Sequence, residues 1–172
     1  ISELMEANLK LKQISVTDGL TGLYNHKYIF HRLEEEVKKS KRYKAPLSII
    51  MLDIDHFKSI NDNYGHQVGD TTLTVVARAI KDTLRDVDIP GRYGGEEFIA
   101  ILPQTKLLEA YITAERIRET VEATIFEEKG LRVTISGGVA EFRHETPLRL
   151  VERADQRLYK AKETGRNRVI KE

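Results

Sequence analysis

The stretch from Leu47 to Ile54, LSIIMLDI, constrains the fold most. It is almost continuously apolar and follows Pro46, as expected of a strand buried on both faces. Such a strand needs helices on both sides of its sheet, and the rest of the chain supplies them. Asn25 can cap a helix running to about Arg42, with Ile29, Leu33 and Val37 four apart on one face. Leu73, Val76, Ala77, Ile80 and Leu84 stripe a second helix; Ala110, Ala114, Ile117 and Val121 mark a third. Another follows Pro147, with Leu150, Ala154, Leu158 and Ala161 inward. Phe98 to Leu102 reads as a second apolar strand, and Val133, Ile135, Gly137 and Val139 alternate as a third; Val169 and Ile170 suggest a short last one. The pattern predicts an α/β (α+β) fold, its helices flanking a mixed or antiparallel sheet, because Gly94-Gly95 reads as a hairpin turn.

The 172 residues suit one domain, 17–172, preceded by a short helical extension, 1–16. In that extension Ile1, Leu4, Leu11 and Ile14 form a narrow apolar seam. It fits either a helix lying on its own domain or the tail of a dimeric coiled-coil stalk. There is no cysteine, which removes disulfides and thiolate chemistry and suits a reducing, cytoplasmic setting. With 32% charged residues and a net charge of +1, the chain lacks the cationic excess of a nucleic-acid binder. A phosphate ligand must therefore be held by a few placed cations. No apolar run reaches the roughly 20 residues needed to span a bilayer. The start at Ile1 reads as a fragment, with a sensor region, membrane-anchored or not, upstream.

Asp53 sits at the end of the buried strand, where a carboxylate is costly unless it is paired or binds a cation. Asp55 is expected to cap a following helix. Gly94-Gly95 can bring backbone close to a ligand, and Glu96 and Glu97 follow directly. Strand alternation puts these two acids on opposite faces, so only one should share a face with Asp53. Mg²⁺ prefers one or two carboxylates plus phosphate oxygens, and acids borne on strands at a glycine turn provide them. Asn61, His66 and Asp70 lie around a helix–loop–helix. An amide and a carboxylate together can complement guanine's donors and acceptors. Lys162 and Arg166, on either side of a helix end at Gly165, serve as a phosphate clamp or simply complement the helix dipole.

These residues stand in four ordered motifs. Gly94-Gly95-Glu96-Glu97-Phe98 after Arg92-Tyr93, the run from Asp53 to Asp70, the run from Thr17 to Asn25, and Ala154-Asp155, Leu158-Tyr159 and Gly165-Arg166-Asn167 together resemble the GGDEF domain of diguanylate cyclases, in its GGEEF form. The resemblance spans about Thr17 to Val169. It implies a polymerase-palm-like fold with a five-stranded sheet and a domain that joins two GTP into cyclic di-GMP, releasing pyrophosphate. It implies Mg²⁺, with Mn²⁺ as an alternative, held by Asp53, the Ile54 carbonyl and Glu96, with Glu97 less firmly placed. Glu96 would take the proton of the attacking 3′-OH. Asn61, His66 and Asp70 would read guanine; Lys58, Lys162, Arg166 and the amides near Phe57 would hold the triphosphate. Each domain would bind one GTP, so the active species would be a homodimer. Arg85 and Asp88 match the family's RxxD motif, implying product inhibition by cyclic di-GMP; an ordinary surface ion pair is the plainer reading. The alternatives are a catalytically silent cyclic di-GMP receptor and a cyclase making mixed dinucleotides.

Overall fold

The computed structural model describes the backbone of residues 1–172 and every side chain except those of Gln13 and Ile14. In chain order the elements are α1 (Glu3–Val16), α2 (His26–Tyr43), β1 (Leu47–Ile54), α3 (Phe57–Tyr64), α4 (His66–Thr83), β2 (Ile89–Arg92), β3 (Glu97–Pro103), α5 (Leu107–Ala123), β4 (Ile135–Glu141), α6 (Pro147–Glu163) and β5 (Val169–Ile170). The sheet has five strands in the order β2-β3-β1-β4-β5. β1 lies at its centre, antiparallel to both β3 and β4; β2 is antiparallel to β3, and β5 is parallel to β4.

The central place of β1 explains its composition, since all of its residues are buried. Ile50, Leu52 and Ile54 pack with Phe98, Ala100 and Leu102 against α4 and α5, through Leu73, Val76, Ile80, Ala114 and Ile117. Ile49 and Met51 face the other way with Ile99 and Ile101, onto Ile29 and Leu33 of α2 and Leu150 and Leu158 of α6. Two cores thus read out alternate positions of one strand. Each fully buried aliphatic side chain contributes about 1.5–3 kcal/mol. Gly138 on β4 lets α6 lie directly on the sheet, because a Cβ there would run into the helix backbone at Ala154 and Leu158.

Some sequence expectations need correction at their edges. β4 begins at Ile135, so Val133 is buried just ahead of the strand. α4 stops at Thr83, and Leu84 is its extended C-cap. β2 carries Pro90 and Gly91 and has no apolar run to announce it, which an edge strand tolerates.

The two readings of the N-terminal seam separate clearly. Every side chain from Ile1 to Lys12 is exposed, Leu4 by 70% and Leu11 by 63%, so α1 does not lie on its own domain. Ile14, expected in the same seam, falls outside the described side chains. Asn25 joins the helix to the domain. Its amide N–H donates to the Val16 carbonyl at 2.9 Å and its side chain donates to the Ser15 carbonyl at 3.1 Å. Its Oδ1 accepts from Tyr28 N–H at 2.9 Å, capping α2.

Candidate active site

The site forms where β1 ends beside the β2–β3 hairpin. Register places Asp53 directly opposite Glu97. Both belong to the odd-numbered set that faces α2 and α6, and from α6 the Lys162 ammonium reaches Asp53 at 2.9 Å. Asp53 is only 3% exposed. Burial pushes its pKa up to about 6; Lys162 opposes this, while Glu96 and Glu97 add to it. Glu97 is also pushed above the usual carboxylate range, first by burial and then by Asp155. One lysine therefore serves a crowd of acids. Of the two acids, Glu97 shares a face with Asp53, as strand alternation requires of only one of them. Glu96 precedes β3, where strand alternation no longer fixes its direction; its carbonyl accepts from Ile54 N–H at 3.2 Å.

Gly94 and Gly95 do not adopt left-handed backbone angles. What their lack of side chains provides is room: a Cβ on Gly95 would meet nothing, and one on Gly94 only the Glu97 side chain at 3.7 Å. The turn is fastened from outside. Arg92 donates to the Gly94 carbonyl at 3.2 Å and the Gly95 carbonyl at 2.7 Å, and pairs with Asp18 at 3.2 Å. His26 Nδ1 donates to the Tyr93 carbonyl at 2.6 Å, which places the proton on that nitrogen. The sequence reading gave no role to Asp18, Arg92 or His26. Opposite charge was the available signal for the Asp18–Arg92 pair, but across 74 residues it could not be assigned.

α3 and α4 carry the residues expected to read a base. Asn61 on α3 packs over Gly69 of α4, where any Cβ would overlap its Oδ1. The next residue, Asp70, is exposed and lines a groove of about 600 Å³ with Leu20, Thr74 and Arg78. His66 starts α4, exposed, one turn before Asp70. Phe57 and Lys58 open α3 after His56, which takes a left-handed φ of 55°. Asn61 is thus packed against the residue that precedes Asp70, and Lys58 is exposed on the first turn of α3.

Lys162 lies in the last turn of α6, and Arg166 follows Gly165 with a φ of 63°. Asp55 corrects an expectation. The helix begins at Phe57, too late for Asp55 to cap it. Its buried carboxylate instead accepts from Thr134 Oγ1 at 2.7 Å, Ser136 Oγ at 2.6 Å and Asn167 N–H at 3.0 Å.

Arg85 and Asp88 lie in the connection between α4 and β2. Asp88 is buried, and Arg85 forks onto it at 3.1 and 2.8 Å, with further bonds to the Pro103 carbonyl and Thr105 Oγ1. Its hydrogen bonds to the Asp88 carboxylate raise the Arg85 pKa further. Grooves of about 490 and 470 Å³ flank the pair.

Among the described residues, no three His, Cys, Asp or Glu side chains converge as a metal cage. Mg²⁺ needs less, one or two carboxylates with water and phosphate oxygens completing its shell. A buried Asp53 short of positive charge, with two acids beside it, fits a hard divalent cation.

The family model described as "Diguanylate cyclase, GGDEF domain" matches residues 15–168. The response regulator PleD of Caulobacter vibrioides is 43% identical over 164 residues, covering 92% of this chain and 36% of its own. Diguanylate cyclase A of Treponema denticola is 44% identical over 169 residues, covering 94% of this chain and 46% of its own. The chain therefore spans less than half the length of these curated relatives. Among solved structures, the coiled coil and GGDEF domain of DgcB from Caulobacter crescentus, in complex with c-di-GMP, matches with a TM-score of 0.94 at 33% identity, covering 98% of this chain and 92% of that one.

Proposed function

The chain belongs to the GGDEF family of diguanylate cyclases, and from that membership we propose that it condenses two GTP into cyclic di-GMP. The observation that carries the reading is the buried Asp53 beside Glu96 and Glu97, with Lys162 as its paired cation, at an open glycine turn. Asp53, the Ile54 carbonyl, Glu96 and, less directly, Glu97 would hold Mg²⁺ or Mn²⁺. When bound, the metal polarises the α-phosphate and lowers the pKa of the attacking hydroxyl. Asn61, His66 and Asp70 orient guanine. Lys58, Lys162, Arg166 and the amides near Phe57 hold the triphosphate and balance charge on the transferring group. The 3′-oxygen of one GTP bonds to the α-phosphorus of the other, Glu96 takes its proton, and the bond to the β-phosphate breaks to release pyrophosphate. A second such step closes the ring.

Two half-sites must meet, so the active species is a homodimer. The exposed Leu4 and Leu11, seven residues apart on α1, support pairing through a stalk, which would also carry signals from an upstream sensor domain. Arg85 and Asp88 form the product-inhibition site. The c-di-GMP bound to DgcB supports a product site in a relative of nearly identical fold.

The test is product analysis after incubating concentrated protein with GTP and Mg²⁺, with Glu96→Gln alongside. Cyclic di-GMP from the parent and not from the variant is expected. No product at any concentration, with tight binding of added cyclic di-GMP, would make the chain a receptor. Mixed dinucleotides from a GTP and ATP mixture would revise the role given to Asp70.

A further inference from the structure

We propose that Asp55 is a positioning residue that holds the loop Gly165–Asn167, so that Arg166 is presented to the triphosphate; this rests on the cyclase reading above. The loop is anchored to the end of β1 at two points. Lys162 reaches Asp53, and five residues later the Asn167 amide donates to Asp55, two residues beyond Asp53. The two anchors differ in what substrate would do to them. Lys162 is shared: once a cation and phosphates enter, it can leave Asp53 for them. The Asp55 anchor includes no group assigned to substrate. Its carboxylate is buried and already accepts from Thr134, Ser136 and Asn167, so it stays in place while Lys162 moves.

The loop needs such an anchor. Arg166 and Asn167 both adopt left-handed backbone angles, with φ of 63° and 45°. Two consecutive non-glycine residues rarely hold that region unless their surroundings impose it. Arg166 N–H closes the helix end by donating to the Ala161 carbonyl at 2.9 Å. Asn167 is gripped on the far side, its side chain accepting from Arg118 at 3.0 Å and donating to Glu122. These contacts use the Asn167 backbone and side chain and the Arg166 backbone. Among the described residues the Arg166 guanidinium has no hydrogen-bond or ion-pair partner and is exposed. A rigidly held loop ending in an unengaged guanidinium is suited to a planar, bidentate anion such as a phosphate. The loop's shape therefore depends on a carboxylate that itself touches no substrate.

The experiment is a double-mutant cycle on GTP affinity, read by titrating a non-hydrolysable GTP analogue with Mg²⁺, with amide exchange at Asn167 as a ligand-free readout. Asp55→Asn replaces an acceptor with a donor where three donors converge. It is expected to weaken binding about tenfold, the scale of one lost charge-assisted hydrogen bond, and to speed Asn167 exchange. Arg166→Ala should weaken binding by a similar factor, and the double variant should bind no worse than Arg166→Ala alone within about twofold. Effects that multiply, or unchanged affinity in Asp55→Asn, would overturn the proposal. If Asp55→Asn does not fold, Thr134→Val, which removes one donor and keeps the carboxylate, decides by the same criterion with a smaller factor. A parent that binds no GTP would overturn the cyclase reading and this role with it. A parent that binds while the two effects stay independent overturns this role alone.

Discussion

The molecule holds two acid–base pairs of nearly equal length in very different states. Lys162 meets Asp53 at 2.9 Å, and Arg85 meets Asp88 at 2.8 Å; both carboxylates are buried. Asp53 holds its proton up to about pH 6 in spite of its lysine, because burial and two neighbouring acids outweigh one ammonium. Asp88 receives a fork from Arg85 and also the Arg85 backbone N–H at 2.9 Å. The first pair lacks positive charge and can be completed by a cation. The second is closed on itself, so a ligand can engage it only by exchanging partners or using the outer edge of the guanidinium. Distance alone does not distinguish a site awaiting something from a finished latch; the count of charges and donors around each carboxylate does.

Asp53→Asn should break the comparison most severely. Activity, read as cyclic di-GMP formed from GTP and Mg²⁺, should fall by about 10³-fold or more, as expected when charge stabilisation at a phosphoryl centre is lost. A variant retaining a tenth of parental activity would remove Asp53 from the chemistry.

The same substitution should stabilise the chain without metal. Asp53 has a folded pKa of about 6 against the ordinary 3.8 of an aspartate, so the native state binds this proton more tightly than the unfolded chain does. Its contribution favours folding below pH 3.8, declines as pH rises to about 6, and above that leaves an ionised group that costs up to about 3 kcal/mol. Urea melts in chelator should therefore show Asp53→Asn more stable than the parent at pH 7.5 and the two converging near pH 4. Equal stability at pH 7.5 would mean that Lys162 already balances Asp53.

Arg85→Ala addresses the closed pair. It leaves a buried carboxylate without its fork, though Asp88 keeps the Arg85 backbone N–H, so the cost should be about 1–3 kcal/mol. Initial rates should be close to parental, because Arg85 is not among the groups proposed to hold phosphate or base, while added cyclic di-GMP should no longer inhibit. Inhibition as strong as in the parent would reduce Arg85 and Asp88 to a structural latch.

Much of this was legible in the sequence because it is local or periodic. LSIIMLDI announces a central strand, since burial on both faces leaves no polar positions to alternate, and the helical stripes at Ile29 or Leu73 mark which side packs. The acids, the cations and the residues proposed to read the base stand out as types at motif spacings. What the sequence concealed depends on partners distant along the chain. Asp55 looks like a cap because Asp before a helix usually is one; its partners Thr134, Ser136 and Asn167 are 79 to 112 residues away. Asp18 meets Arg92 only after the sheet forms. The faces of Glu96 and Glu97 depended on where β3 begins, and Glu96 falls just outside it.

The smallest effect expected is at Gly69, and it tests whether the pair proposed to read the base is as finely packed as the proposed phosphate end. Gly69 lies in the first turn of α4, where alanine would ordinarily favour a helix by up to about 1 kcal/mol, so lost stability is not the expected outcome. A Cβ there overlaps Asn61 Oδ1, and the Phe57 ring lies at 3.4 Å, so Asn61 must turn aside. Gly69→Ala should weaken GTP binding about tenfold, the order of one misplaced hydrogen-bonding group, with turnover at saturating GTP nearly unchanged. The cause is checked by repeating the substitution in Asn61→Ala, where the added methyl has nothing to displace and affinity should not fall again. A further tenfold loss in that background would show that the methyl disturbs Asp70 or the helix itself rather than Asn61.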